Sequence, residues 1–107
     1  MYQARYSQTF SDRLQEPRFT NLLKDIRRKA EMVIQLPYTA AKSEKLKYDW
    51  TRKRSARVDE RYRLIYKVCE ECQKGNEGEP NHMTNCLPCG GVPVTTVNFL
   101  DITDHYF

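Results

Sequence analysis

Arg61-Tyr62-Arg63-Leu64-Ile65-Tyr66-Lys67-Val68 is the stretch whose reading decides the fold. Tyr62, Leu64, Tyr66 and Val68 recur at every second position, with Arg61, Arg63, Ile65 and Lys67 between them. A period of two belongs to a strand, here with one core face and one largely basic face. Upstream, Lys45 to Trp50 and Arg54 to Asp59 repeat the period, joined by the polar segments Thr51-Arg52-Lys53 and Asp59-Glu60. Three successive strands are therefore expected. Strand character returns at Val94 to Thr103, where Asn98, Leu100 and Ile102 alternate with Phe99, Asp101 and Thr103.

The residues before these strands change period. Tyr2 to Tyr6 reads as a short opening strand, and Ser11-Asp12 offers an N-cap for a helical turn that runs to Glu16. Pro17 suits the first turn of a longer helix from about Arg18 to Leu36, in which Leu22, Leu23, Ile26, Ala30, Val33 and Ile34 form one apolar stripe. Pro37 stops it. At 107 residues the chain holds one domain, residues 1 to 107, of class α+β. The order is an N-terminal strand, a helical hairpin and then an antiparallel sheet, with helices on one sheet face and the other free for a ligand.

Residues 69 to 93 interrupt this plan. They hold all four cysteines, as the doublets Cys69-Glu-Glu-Cys72 and Cys86-Leu-Pro-Cys89, together with all four glycines and hardly an apolar side chain. Such a segment cannot build a core of its own. Two Cys-x-x-Cys turns separated by thirteen residues suit one tetrahedral zinc ion. The expectation is a small zinc-ribbon-like insertion, residues 69 to 93, between the last two strands, with Cys69, Cys72, Cys86 and Cys89 as ligands of one structural zinc. A disulfide pair and a redox-active doublet are the competing readings, and His82 is a spare ligand. Four thiolates close the coordination sphere, so no catalytic metal is expected.

Charge divides the chain. Residues 1 to 68 carry 17 of the 18 Lys and Arg against 8 acids, and residues 69 to 107 are net acidic. Between Glu44 and Lys67 lie Lys45, Lys47, Arg52, Lys53, Arg54, Arg57, Arg61, Arg63 and Lys67, interleaved with Tyr48, Trp50, Tyr62 and Tyr66. Bases neutralise phosphates and rings stack on unpaired bases, which suits a single-stranded RNA surface. A solvated sheet face backed by core tyrosines gives the same composition. No apolar run approaches a membrane span and the first residues lack a secretory signal, so a cytoplasmic location without membrane contact is expected.

Lys42-Ser-Glu44-Lys-Leu46-Lys47, then Arg54-Ser55-Ala56-Arg57-Val58 and Arg63-Leu-Ile-Tyr66, and finally His105-Tyr106 resemble the RelE/ParE superfamily of bacterial toxins, closest to its YoeB-type branch. The likeness covers residues 1 to 68 and 94 to 107 in element order and implies a RelE-like fold. It also implies a toxin of a type II toxin-antitoxin system, an endoribonuclease (mRNA interferase) that cleaves mRNA on the ribosome and is held inactive by a cognate antitoxin. A homodimer or a toxin-antitoxin hetero-oligomer would follow. Carried over by position, Glu44 matches the general base, Arg63 the phosphate-stabilising arginine, His105 the general acid and Tyr106 the substrate-placing tyrosine. Lys47 and Arg57 match basic positions that grip the RNA backbone, and Lys45, Arg54 and Arg61 of the same basic stretch are expected as further RNA-binding residues. Ala56 stands where the family has an arginine, and the cysteine insertion is foreign to the short hairpin of the family.

The chemistry asks for these residue types independently. Metal-free RNA cleavage activates a 2′-hydroxyl, stabilises a phosphorane and protonates the departing 5′-oxygen. Carboxylate, guanidinium and imidazole do those jobs in turn. Read without the likeness, Glu44 is a surface acid beside Lys42 or Lys47, and His105 a residue of the tail. Two other functions compete: a ParE-like toxin that inhibits gyrase, and a non-catalytic zinc-ribbon module that binds RNA or protein.

Overall fold

A computed structural model describes residues 2–46, 53–74 and 95–104. The described elements run β1 (Gln3–Tyr6), α1 (Gln8–Leu14), a 3-10 helix (Pro17–Leu22), α2 (Leu23–Gln35), a 3-10 turn (Ala40–Lys42), β2 (Glu44–Lys45), β3 (Arg54–Arg57), β4 (Tyr62–Val68), α3 (Cys69–Lys74) and β5 (Thr96–Asp104). The strands form one five-stranded sheet in the order β1-β5-β4-β3-β2. β1 lies parallel to β5, and every other neighbour is antiparallel. This is the α+β plan expected from the periodicity.

β4 is the centre of that sheet, as its alternation requires. Tyr62, Leu64, Tyr66 and Val68 all lie on the side of the helices and are buried. Opposite them on neighbouring strands stand Ala56, Val97, Phe99 and Ile102, and the helices contribute Phe10, Phe19, Ile26, Ala30, Val33 and Ile34. Rings organise this layer: Phe99 meets Phe10 at 5.6 Å and Tyr66 at 6.1 Å, and Phe19 meets Tyr62 edge-on at 4.9 Å. Such pairs add to the burial energy of the rings themselves.

The helices depart from their predicted boundaries. α1 starts after Ser7, four residues before the end signalled by Ser11-Asp12, because Ser7 is the true cap. Its hydroxyl accepts from the Phe10 amide at 3.0 Å and donates to the Leu100 carbonyl at 2.8 Å, while its own amide donates to the Phe99 carbonyl. A cap held by β5 outranks one that is only locally plausible. The long helix predicted from Arg18 to Leu36 is two pieces. Pro17–Leu22 is 3-10, which seats Phe19 on the sheet under the Arg18 guanidinium, and α2 follows. The apolar stripe of α2 is the one the spacing predicts, with Ile26, Ala30, Val33 and Ile34 buried.

β5 breaks its own period. Ile65 pairs with Asp101 but Tyr66 pairs with Phe99, so Leu100 is the extra residue of a bulge. Phe99 and Ile102, which simple alternation places on opposite faces, both enter the core, and Asn98 and Ile102, which it groups together, separate. β3 ends at Arg57 and β4 starts at Tyr62, both inside the predicted limits, because Asp59 closes the connection. Its carboxylate accepts from the amides of Arg61 and Tyr62, each at 2.8 Å.

The segment after Val68 corrects a further expectation. Cys69–Lys74 is a helix rather than the first turn of a loop. Its two glutamates anchor it: Tyr2 and Tyr38 donate their hydroxyls to Glu70, and Glu71 pairs with Arg54. Residues 75–94, and with them Cys86, Cys89 and most of the expected insertion, lie outside the described residues. The predicted strand over Lys45 to Trp50 is described only to Leu46, whose amide donates to the Lys53 carbonyl at 3.0 Å. Among the described residues no helix is long and apolar enough to cross a membrane.

Candidate active site

Register on β2, β3 and β4 builds the site. Glu44 pairs with Ser55, Ser55 with Ile65, and Arg57 with Arg63, so Glu44, Ser55, Arg57 and Arg63 share the sheet face turned away from the helices. The Glu44 carboxylate comes within 3.6 Å of the Arg63 guanidinium. Glu44 is 61% exposed and Arg63 only 16%, so the acid is open to an incoming group while the arginine is set into the sheet. Ser55 adds a contact from its hydroxyl at 3.4 Å to the same guanidinium.

The chain enters this site through a backbone turn. Lys42 has φ 57, the left-handed region that side chains normally avoid, and Ser43 and Glu44 follow directly. Ser43 is tied on the helix side: its hydroxyl lies 2.6 Å from the Tyr66 hydroxyl and 2.9 Å from the Arg54 guanidinium, and the Tyr66 hydroxyl also donates to the Pro37 carbonyl. Burial pushes the Tyr66 phenol above its ordinary value, with the Ser43 bond and the Arg54 charge pulling the other way. It therefore stays a neutral donor in this cluster.

Arg57 and Arg63 stand opposite each other as like charges across the sheet, and the Glu44 carboxylate beside Arg63 offsets their repulsion. The Arg63 Nε and the Thr103 hydroxyl, at paired positions, are both buried and lack hydrogen-bond partners among the described residues. Ser55 and Thr103 are residues the sequence reading did not single out. Thr103 was readable only as the residue opposite Arg63, and that pairing depends on the bulge in β5.

The remaining candidates separate. Arg54 pairs with Tyr66 and so faces the helices; it is 8% exposed and bound to both carboxylate oxygens of Glu71 at 3.0 and 3.2 Å. Its guanidinium also lies 4.9 Å above the Tyr38 ring. A group so enclosed is part of the scaffold. Lys45 pairs with Arg54 on that same side and reaches Glu71 at 3.8 Å, away from Glu44. Arg61 is exposed at the mouth of β4, 3.8 Å from Asp104 and over the Tyr62 ring. Lys47, His105 and Tyr106 lie outside the described residues. The second sheet face is also less open than expected, since Ser55, Ile65, Thr96 and Asn98 on it are buried.

Of the thiols, Cys69 is buried, and its sulfur accepts from the Asn98 side-chain amide at 3.2 Å. Cys72 falls one helical turn further along α3. Among the described residues no group of three or more His, Cys, Asp or Glu side chains is gathered as for a metal.

No protein-family model and no curated protein matches the sequence. Solved structures do match the fold. A YoeB/ParE toxin from Agrobacterium tumefaciens superposes with a TM-score of 0.64 at 16% identity, covering 97% of this chain and 99% of that one. YafQ from E. coli gives 0.61 at 19% identity over 98% and 94% of the two chains. A chain of the YoeB-YefM complex from Staphylococcus aureus gives 0.61 at 16% identity over 99% of each. The chain has the fold of these toxins.

Proposed function

We propose that this chain, built on the fold of the YoeB and YafQ toxins, is the toxin of a type II toxin-antitoxin pair and an endoribonuclease acting on mRNA at the ribosome. The observation that carries the reading is the contact of Glu44 with Arg63 on a face that also bears Arg57. In this reaction the Glu44 carboxylate removes the proton of the 2′-hydroxyl, and the 2′-oxygen attacks the adjacent phosphorus. Arg63, whose guanidinium already meets Glu44 and Ser55, takes the charge that grows on the phosphate oxygens. The bond to the 5′-oxygen breaks, and that oxygen takes a proton from His105, with Tyr106 placing the substrate. The products are a 2′,3′-cyclic phosphate and a 5′-hydroxyl.

Arg57, Arg61 and Lys47 are the residues assigned to the RNA backbone in this reading; Arg54 and Lys45 are assigned to the scaffold. The Staphylococcus aureus neighbour is a complex of YoeB with YefM, and a cognate antitoxin is the corresponding partner here, in a hetero-oligomer or beside a toxin homodimer. Zinc is proposed as a structural ion held by Cys69, Cys72, Cys86 and Cys89. The two Cys-x-x-Cys doublets carry this assignment, and an amide donated to Cys69 sulfur is the outer bond that metal thiolates take.

The test is induction in a bacterium with mapping of mRNA ends. Wild type is expected to cut within translated messages, and Glu44→Ala and Arg63→Ala to lower cleavage by about 10²- to 10⁴-fold with little change in Tm. Growth arrest without RNA cleavage, together with loss of gyrase supercoiling in vitro, would assign the chain to the gyrase-directed toxins instead.

A further inference from the structure

We infer that Glu71 is a positioning residue for Glu44, acting from the opposite face of the sheet. The inference rests on the proposed role of Glu44 as base. β2, described over Glu44–Lys45, pairs on one side with β3. The two residues flanking Glu44 in the chain are both held from below. Ser43 receives the Arg54 guanidinium at 2.9 Å, and Lys45 reaches the Glu71 carboxylate at 3.8 Å. One acid closes the circuit, because Glu71 also takes Arg54 through both oxygens.

Glu71 lies in the first turn of α3, directly between Glu70 and Cys72, so the root of the cysteine segment reaches under the candidate base. The pair is well enclosed, with the Arg54 side chain 10% and the Glu71 side chain 17% exposed. An ion pair in that setting is strong and directional, and removing one member leaves the other without its charge. With Glu71 neutral, Arg54 loses the anion that fixes its fork, Ser43 loses a fixed donor and Lys45 its counter-charge. Both neighbours of Glu44 are then free to shift, and an error near 1 Å in a reacting group is enough to cost about 100-fold in rate.

Glu70 supplies the control. It docks the same helix to the Tyr2 and Tyr38 hydroxyls, and of Tyr38 it is the ring, not the hydroxyl, that meets Arg54. The experiment compares Glu71→Gln, Ser43→Ala and Tyr38→Phe in the full chain, on mRNA cleavage by programmed ribosomes and on backbone amide exchange by NMR. Glu71→Gln is expected to lower kcat by about 10- to 100-fold with KM within about 2-fold, and Ser43→Ala to act in the same direction more weakly. Tyr38→Phe, which loosens α3 but leaves the Arg54 circuit intact, is expected to leave kcat within about 2-fold. The Leu46 amide, which donates to Lys53 across β2 and β3, should exchange faster in Glu71→Gln while amides between β4 and β5 keep their wild-type rates. Equal kcat losses in Glu71→Gln and Tyr38→Phe, or an unchanged Leu46 rate, overturn the inference. If wild type cuts no RNA, the nuclease reading falls, and the exchange rates alone decide whether Glu71 holds β2.

Discussion

Arg54 and Arg57 bracket one short strand, carry the same charge and live in opposite surroundings. Arg54 looks toward the helices and spends its guanidinium on Glu71, Ser43 and the Tyr38 ring. Arg57 looks the other way, across the sheet at Arg63, on the face that holds Glu44. Among the described residues, the bases from Glu44 to Lys67 therefore fall into two groups. One is internal electrostatics that ties β2, β3 and α3 together; the other lies on the face that holds Glu44. The parity set by pairing with β4 sorts them, and a count of bases cannot.

Exchanging each arginine for alanine breaks the comparison most severely. Arg54→Ala leaves a mostly enclosed Glu71 without its partner, and removal of one member of such a pair costs about 3–5 kcal/mol. Arg57→Ala is expected to change stability by less than about 0.5 kcal/mol, and to lower RNA affinity with a salt dependence shallower by about one phosphate. Urea unfolding and RNA binding at several salt concentrations measure both. Equal unfolding midpoints for the two variants would mean that the faces do not differ as described.

A gentler probe of the helix side is alkali. The Tyr66 phenol is held above its ordinary 10.0 by burial, so its folded value exceeds its unfolded one. Its contribution to stability is complete below the unfolded value and is lost as the pH rises through the folded one. Burial raises Tyr6 in the same sense; Tyr38 is raised by burial and then by the Glu70 carboxylate, and Tyr2 by the Glu70 hydrogen bond and then by burial. Tm should fall as the pH rises past about 10, and Tyr66→Phe should fall less steeply over that interval while losing about 1 kcal/mol of hydrogen bonding at neutral pH. The smallest effect concerns the turn between the faces. Lys42→Gly removes a side chain from a left-handed backbone, and is expected to raise stability by up to about 1 kcal/mol in thermal unfolding with cleavage unchanged.

Much of this was legible in the residues. The alternation of β4, the stripe of α2 and the chain order of strand, helices and sheet are local patterns, and tertiary packing respects them. What stayed hidden depends on contacts between distant residues. Ser7 caps α1 because β5 lies beside it, whereas Ser11 satisfies the same local rule without that neighbour. The bulge at Leu100 leaves no mark in a strand whose residues suit either face, yet it decides that Ile102 is core and Thr103 stands by Arg63. Glu44 and Arg63 were legible as candidates through their likeness to the toxin superfamily; their 3.6 Å contact was not. Arg54 reads in the sequence as one more base for RNA, because its charge is visible there and its pairing with Glu71, seventeen residues on, is not.

β1 lies parallel to β5 and takes its register from Thr96 to Phe99, some ninety residues further on. During synthesis the first strand therefore waits while the helices and the β3–β4 hairpin emerge, and at about 5–20 residues per second that interval is on the order of 5–20 s. In those seconds Tyr6 has no Phe99 to stack on and Ser7 no carbonyl to meet. The sheet closes, and the Arg63–Thr103 pairing forms, only when β5 arrives. Glu44 and Arg63 can meet earlier, but a chain made only as far as β4 lacks the third strand of the candidate site, so the site's last wall is also the last part of its sheet to be synthesised.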